Sequence, residues 1–183
     1  AHGSGSGRHS PRNNFVAQIL RRAHLGTLLI DLLTEEEDAT YETRFDIGLL
    51  TKRLEGATRW LAELPQAKGL AIGYFGASTG AAAALQAAAA LGSAVGAVVS
   101  RGGRPDLAWS ALEQVRAPTL LIVGGLDDVV IELNQRAYER LRAEKELIII
   151  PGATHLFEEP GALQEVARLA SGWFGKYLPK KQA

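Results

Sequence analysis

Five short apolar runs alternate along the chain with segments of helical periodicity, and this alternation limits the possible folds more than any other feature. The runs cover residues 26–32, 69–75, 94–100, 119–123 and 147–150. They are nearly continuous rather than alternating, which is typical of strands buried on both faces. Helix-like segments separate most of them: residues 47–61, 81–91, 131–142 and 162–178. The pattern predicts an α/β fold, a three-layer α/β/α sandwich with a mostly parallel sheet of about five strands.

Length and charge restrict the class of protein further. The 183 residues predict one domain, residues 1–183, and residues 176–183 are expected to be a frayed end. Lys plus Arg equals Asp plus Glu, 20 against 20, so no overall field favours nucleic acid or an anionic membrane surface. The apolar runs are far shorter than the ~20 residues of a membrane helix. We therefore expect a cytoplasmic protein without nucleic-acid or membrane partners.

The absence of cysteine excludes several kinds of functional site. Without Cys, the chain cannot form disulfides, thiolate metal sites or a Cys nucleophile. We expect neither a metal nor a cofactor. In a parallel sheet, ligands bind at the carboxyl ends of the strands, so the residues that follow each strand are the first candidates for a site.

A G-x-S-x-G motif follows the run that ends at Phe75. It reads Gly76-Ala77-Ser78-Thr79-Gly80 and stands between a predicted strand and a predicted helix. Small flanking residues permit the tight strand-to-helix turn that leaves the Ser78 hydroxyl projecting at the edge of the sheet. The alternative is an ordinary Gly/Ser turn; the context favours a nucleophile.

A serine nucleophile needs a base and a group that orients the base, and later strands supply both. Gly124-Gly125-Leu126-Asp127-Asp128 follows one strand, and Pro151-Gly152-Ala153-Thr154-His155 follows another. The chain order Ser, Asp, His is that of α/β-hydrolases. Asp127 is the preferred acid, because Asp128 is expected to cap the next helix. Asp106 is a third candidate, although a turn or cap role fits it better.

These motifs together resemble a known family. The chain resembles the α/β-hydrolases, and more narrowly the small dienelactone hydrolases and their esterase-like relatives. The matching segments are His2-Gly3-Ser4-Gly5-Ser6, Arg8-His9-Ser10-Pro11-Arg12-Asn13, the G-x-S-x-G motif, Gly124-Gly125-Leu126-Asp127 and Gly152-Ala153-Thr154-His155-Leu156-Phe157. One departure matters: dienelactone hydrolases proper use Cys where Ser78 stands here, which leaves the lactone substrate open.

The resemblance also implies an oxyanion hole. Its donors would be the backbone N–H groups of Thr79, which follows the nucleophile, and of Ser4 in the His-Gly loop. Gly-Ser repeats beside a histidine are also typical of an engineered linker, but residues 8–13, with Ser10-Pro11 as a helix start, favour native sequence. A contact from Glu36 to the nucleophile is conceivable by the same resemblance.

Two arginines stand near the predicted site. Arg101 and Arg104 follow the strand that ends at Ser100 and could bind a substrate carboxylate or phosphate. Pairing with acidic neighbours is the commoner role for such arginines. With no long insertion between the strands, we expect no lid domain and an open cleft, which favours small esters.

The sequence therefore predicts a serine hydrolase that cleaves a small carboxylic ester or lactone through Ser78, His155 and Asp127 and an acyl-enzyme. The alternatives are a thioesterase or acyltransferase with the same triad, and a non-catalytic module that binds anions on the same fold. In the family, the His2-Gly3 loop follows a central strand that lies between residues 27–32 and residues 70–75. We thus expect a chain that lacks the N-terminal strands of the family, with a gap or re-pairing at that place in the sheet.

Overall fold

The structure, a computed structural model, describes residues 1–178 and contains a single four-stranded sheet within them. Its strands are β1 (Ile72–Ala77), β2 (Val95–Arg101), β3 (Thr119–Gly124) and β4 (Lys145–Ile150). They lie in the order β1-β2-β3-β4, and each neighbouring pair is parallel. The register sets Ala77 beside Arg101 and Gly124 beside Ile150. All four carboxyl ends therefore meet at one edge of the sheet.

The central strands are buried on both faces, as their continuous apolar character predicts. All six residues of β3 are buried, and six of the seven residues of β2 are buried. Both faces of these strands are covered by helices, so neither face needs polar side chains. The predicted three-layer α/β/α sandwich with a parallel sheet is confirmed.

Helices cover the sheet on its two sides. They are α1 (Pro11–Arg22), α2 (Glu35–Asp38), α3 (Ile47–Glu63), α4 (Thr79–Leu91), α5 (Asp128–Arg140) and α6 (Ala162–Tyr177). Residues of α3, α4 and α5 form one apolar core with the sheet, and residues of α1 and α6 form the other. Short 3-10 helices complete the chain at Glu42–Phe45, Pro65–Ala67, Gly92–Ala94 and Pro105–Gln114.

Helix α4, which begins directly after β1, is packed almost entirely through methyl groups. Six of its alanines have no exposed surface: Ala81, Ala82, Ala83, Ala84, Ala87 and Ala88. Alanine is the best helix former, and its small side chain permits a short distance between helix and sheet. This close packing fixes the start of α4 relative to the end of β1.

The strand expected at residues 27–32 is not formed, and this prediction was wrong. Within residues 1–178 the sheet has four strands, and β1 lies at its edge. A cavity of about 710 Å³ lies between residues 25–30 and residues 70–75, which include the first part of β1. Because the 27–32 backbone has no strand beside it, it cannot join a ladder. The two segments do not pair directly, which agrees with the predicted gap between them.

Ala1 occupies part of the β1 edge. Its amino group donates to the Phe75 carbonyl over 2.8 Å, and the Ala77 N–H donates to the Ala1 carbonyl over 3.0 Å. These two hydrogen bonds carry residues 1–3 to the carboxyl end of β1, where the G-x-S-x-G motif begins. The N-terminal segment is thereby placed beside the predicted nucleophile.

Two smaller differences from the sequence-based expectations concern loops and ends. The polar stretch between residues 34 and 46 contains α2 and a 3-10 helix, with Thr34 and Glu37 forming a capping box at the start of α2. The end expected to fray begins inside α6, which continues to Tyr177; residues 179–183 lie outside the described part. Among residues 1–178, no helix has the length and apolar character needed to span a bilayer.

Candidate active site

Ser78 occupies the sharp turn between β1 and α4. Its backbone has φ 50° and ψ −120°, a conformation that L-residues rarely adopt. Such strain costs on the order of 1–3 kcal/mol and persists only where the surroundings enforce it. The flanking glycines are required by close contacts: a Cβ on Gly76 would lie 2.5 Å from the Ala81 Cα, and one on Gly80 would lie 2.3 Å from the His2 carbonyl oxygen. The turn has the tight strand-to-helix geometry that the motif predicts.

Backbone hydrogen bonds from the loop after β2 hold this turn. The Ser78 N–H donates to the Arg101 carbonyl over 3.2 Å, and the Arg104 N–H donates to the Ser78 carbonyl over 3.2 Å. The Gly103 carbonyl between them accepts from the Asn134 side-chain amide over 3.0 Å. Asn134 has no exposed surface and lies on α5. Asn134 thus supports the loop that holds Ser78.

Sequence reasoning missed Asn134, because a single Asn within a helix carries no recognisable pattern. A buried polar side chain in a helix usually signals a hydrogen bond to another segment. Burial at this position is visible only once the helix has been oriented against the loop after β2.

Asp127 and His155 meet at the ends of β3 and β4. The Asp127 Oδ2 lies 2.6 Å from the His155 Nδ1, and the two side chains are 17% and 38% exposed. Their loops approach closely because Gly124 has no side chain: a Cβ there would lie 2.5 Å from the Ala153 carbonyl oxygen. A carboxylate at Nδ1 favours the neutral tautomer with its proton on Nδ1, which leaves Nε2 unprotonated and able to accept a proton.

The two other candidate acids do not contact His155. Asp128 is exposed in the first turn of α5, while the cap position expected for it belongs to Asp127, whose side chain makes no capping hydrogen bond. Asp106 binds the Arg104 guanidinium through both carboxylate oxygens, each at 2.8 Å. Asp127 is therefore the acid that can orient the imidazole.

His155 and Ser78 lie on either side of the turn at residues 101–102. A Cβ on Gly102 would be 3.4 Å from the His155 Cε1, and the preceding Arg101 carbonyl binds the Ser78 N–H. The structure records no hydrogen bond between the Ser78 hydroxyl and His155. Such catalytic hydrogen bonds are often long before substrate binds.

Two backbone donors flank Ser78. Thr79 is the first residue of α4, so its N–H has no intrahelical acceptor. The N–H of Ser4 forms no hydrogen bond with residues 1–178. Gly3, next to Ser4, packs against Ser78: a Cβ on Gly3 would lie 2.9 Å from the Ser78 Cβ. The arrangement can therefore present two N–H groups to an oxygen near Ser78.

The remaining predicted residues differ in their surroundings. Arg104 is bound to Asp106, whereas the buried Arg101, 8% exposed, forms no side-chain hydrogen bond or ion pair within residues 1–178. Burial and the nearby Arg12 lower the pKa of Arg101 to about 10, so it stays charged at neutral pH. Glu36 is exposed on α2 and makes no hydrogen bond to Ser78.

Comparisons with known proteins identify the family and the fold. A profile of the "Dienelactone hydrolase family" matches residues 15–173. The chain is 62% identical to a crystallised dienelactone hydrolase from Anabaena variabilis, with a TM-score of 0.95 over 98% of this chain and 85% of that chain. The esterase Est1E from Butyrivibrio proteoclasticus shares the fold, with a TM-score of 0.81 at 14% identity over 96% of this chain and 85% of that one.

Two curated relatives carry the name of a transferase rather than of a hydrolase. Both are from Mycobacterium tuberculosis, strains CDC 1551 and H37Rv, and both are called "putative phosphoribosyl transferase". The chain is 59% identical to each over 178 residues, which is 97% of this chain but only 40% of the relative. The match thus concerns less than half of those proteins. Taken with the family profile and the site geometry, these similarities show that the chain belongs to the dienelactone hydrolase family of hydrolases.

Proposed function

We propose that the chain hydrolyses a small carboxylic ester or lactone with Ser78 as the nucleophile. The observation that carries the proposal is the 2.6 Å contact between Asp127 and His155 at the same sheet edge as the strained Ser78 turn. This combination supports a Ser-His-Asp triad, because a carboxylate orients the imidazole and the half-buried Ser78 lies in a rigid strand-to-helix turn. The name of the mycobacterial relatives is not transferred, since the chain spans 40% of their length.

The proposed reaction has two halves. In the first, His155 Nε2 takes the Ser78 proton as the oxygen bonds to the ester carbonyl carbon, and the carbonyl oxygen becomes an oxyanion that accepts from Thr79 and Ser4. The intermediate then expels the alcohol oxygen, which receives the proton from His155. In the second half, water adds to the acyl-enzyme with His155 as base. The acid product leaves and Ser78 regains its proton.

An active-site-directed probe tests the nucleophile. We expect a fluorophosphonate to modify the protein once, on Ser78, and p-nitrophenyl acetate to be hydrolysed. Ser78→Ala should remove labelling and lower kcat by roughly 10⁴-fold or more. Ser110→Ala, at an exposed serine, is the matched control. A non-catalytic module would leave Ser78 unlabelled, and equal labelling of the Ser78→Ala protein would refute the assignment.

Assays that vary the acyl acceptor and the leaving group distinguish the proposed hydrolase from a thioesterase and from an acyltransferase. A thioesterase would prefer acyl-thioester substrates over aryl esters of the same acyl group. An acyltransferase would form a new ester when an alcohol is added, at the expense of free acid. The hydrolase that we propose releases mainly acid in both assays.

Arg101 supports the further proposal that the substrate carries a negative charge. A buried guanidinium without a partner is costly, and an anionic substrate group would compensate it. Arg104 supports this role less, because Asp106 already neutralises it, and no contact supports a role for Glu36. We expect Arg101→Met to raise KM at least about tenfold for an aryl hemisuccinate and little for the acetate. Exposed Arg116→Met is the control.

A further inference from the structure

The two ring nitrogens of His2 make different hydrogen bonds. His2 is only 7% exposed, and the Leu32 N–H donates to its Nε2 over 2.8 Å. A backbone N–H can only donate, so Nε2 must be unprotonated, and the neutral ring then has its proton on Nδ1. Nδ1 lies 2.9 Å from the Gly3 carbonyl oxygen and can donate to it. The contacts thus define one tautomer of a neutral imidazole.

This donation acts on the peptide that contains a proposed oxyanion donor. The Gly3 carbonyl belongs to the Gly3–Ser4 peptide, and it also accepts from the Ser6 N–H over 3.2 Å. In a trans peptide the carbonyl and the N–H point in opposite directions, and residues 1–178 contain no cis peptide. Two hydrogen bonds on the Gly3 oxygen therefore fix the direction of the Ser4 N–H.

The same loop is held at its other end. We call residues 2–8 the oxyanion loop. The Arg8 N–H donates to the Asp31 Oδ1 over 2.7 Å, and the Arg8 guanidinium lies 3.2 Å from the same carboxylate. Asp31 and Leu32 are consecutive, so both ends of the oxyanion loop are bound to one dipeptide. This double attachment leaves little freedom for the loop to rotate as a unit.

We infer that His2 is a positioning residue for catalysis, which as a neutral imidazole aims the Ser4 N–H at the oxygen that becomes negative when Ser78 attacks. The inference rests on the proposed function. It assigns to His2 a role other than folding alone, since its Nδ1 acts on the peptide beside the nucleophile. A protonated ring would present an Nε2–H to the Leu32 N–H, two donors facing each other, and the arrangement would be lost.

The surroundings of His2 favour the neutral ring. Burial lowers the pKa of His2, with a smaller contribution from the Ala1 amino group; the Gly3 hydrogen bond and the carboxylates of Asp31 and Asp38 act in the opposite direction. The lowering contributions are the stronger. The imidazole is accordingly available as an acceptor for Leu32 at neutral pH.

The test compares an aryl ester with the matching aryl thionoester in wild type, His2→Ala and His2→Asn. Sulfur accepts hydrogen bonds poorly, so an oxyanion donor accelerates the ester far more than the thionoester. His2→Ala should lower kcat for the ester by roughly 10–100-fold with a smaller change in KM, and the ester-to-thionoester rate ratio should fall. His2→Asn, whose amide can donate to the Gly3 oxygen, should recover part of the lost kcat and part of the ester-to-thionoester rate ratio. His24→Asn is the control, because His24 is exposed, lies outside residues 2–8 and has a positive φ of 64° that asparagine tolerates.

The rate ratio does not depend on the fraction of folded enzyme, so a destabilised variant still gives a result. An unchanged ratio in His2→Ala, with ester hydrolysis still dependent on Ser78, would overturn the inference and leave the proposed function standing. A wild-type protein inactive on both esters would refute both. Imidazole ¹⁵N shifts of the Ser78→Ala protein give a reading without activity: a proton on Nδ1 of His2 is expected, and one on Nε2 would overturn the inference.

Discussion

On one side of Ser78 the site is made by the ends of β3 and β4, whereas on the other side it is made by the oxyanion loop. The Asp127–His155 pair is placed by hydrogen-bonded strands whose backbones touch at Gly124. The oxyanion loop has no strand beneath it within the described residues, and a cavity of about 710 Å³ lies next to it. Apart from the two backbone hydrogen bonds that attach Ala1 to β1, its position depends on side chains, chiefly those of His2 and Arg8, which bind residues 31–32. One side is fixed by the sheet and the other by a few hydrogen bonds.

The largest expected effect belongs to the sheet side. Asp127→Asn should lower kcat by roughly 10⁴-fold, because an amide favours the wrong imidazole tautomer. The melting temperature should change little, since the strands hold both loops. Asp128→Asn, at the exposed neighbour, serves as the control. If the two variants lost similar activity, Asp127 would not be the orienting acid.

The contact between the oxyanion loop and helix α4, which follows Ser78, can be broken at Gly80. A Cβ there would lie 2.3 Å from the His2 carbonyl oxygen, so Gly80→Ala must push the oxyanion loop away from α4. We expect a loss of roughly 1–3 kcal/mol in the free energy of unfolding and a lower kcat. Thermal or urea unfolding checks the first expectation.

Gly172 in α6 provides the matched control, because nothing lies within 4 Å of a Cβ placed there. Gly172→Ala should raise stability by roughly 0.5–1 kcal/mol through helix propensity alone. Equal effects of the two substitutions would mean that the oxyanion loop yields freely to α4.

Substitution of Arg101 tests whether a residue on the sheet side binds substrate while lowering the stability of the fold. Its guanidinium is buried without a partner in the described residues, so Arg101→Met should stabilise the fold by roughly 1–3 kcal/mol while weakening binding of anionic esters. Urea unfolding with and without an anionic product analogue measures both changes. A destabilised Arg101→Met protein would indicate that the arginine serves packing rather than substrate.

The smallest expected effect is a pH dependence of the free energy of unfolding, which arises from His2 on the loop side. The folded-state pKa of His2 lies below its ordinary value of 6.5, so the unfolded chain binds more protons and stability falls as the pH drops below about 6.5 toward the folded pKa. One proton gives a slope of at most about 1.4 kcal/mol per pH unit. His2→Asn should therefore show a shallower slope than wild type; equal slopes would contradict the assignment.

The placement of the residues on the sheet side follows from sequence patterns, whereas the contacts that hold the oxyanion loop do not. Ser78, Asp127 and His155 follow strands directly, so the apolar runs of the sequence are enough to place all three at one edge of the sheet. The strand at residues 27–32 was predicted wrongly, because strand formation needs a neighbour and the sequence of one segment does not report whether a neighbour is present. His2 and Asn134 act through hydrogen bonds to distant backbone atoms, Leu32 and Gly103. No local pattern encodes such partners.

The alanines of α4 have a consequence for how this site can change. Since the helix lies against its neighbours through methyl groups with no exposed surface, any larger side chain there would displace the residue that follows Ser78. Variation that alters substrate preference is therefore confined to residues with space around them. Leu126, Val129 and Leu156, which lie within two residues of Asp127 or His155 in sequence, are 64%, 72% and 42% exposed. A library that varies these three positions and preserves residues 81–88 would search acyl-group selectivity of the proposed hydrolase without moving Ser78.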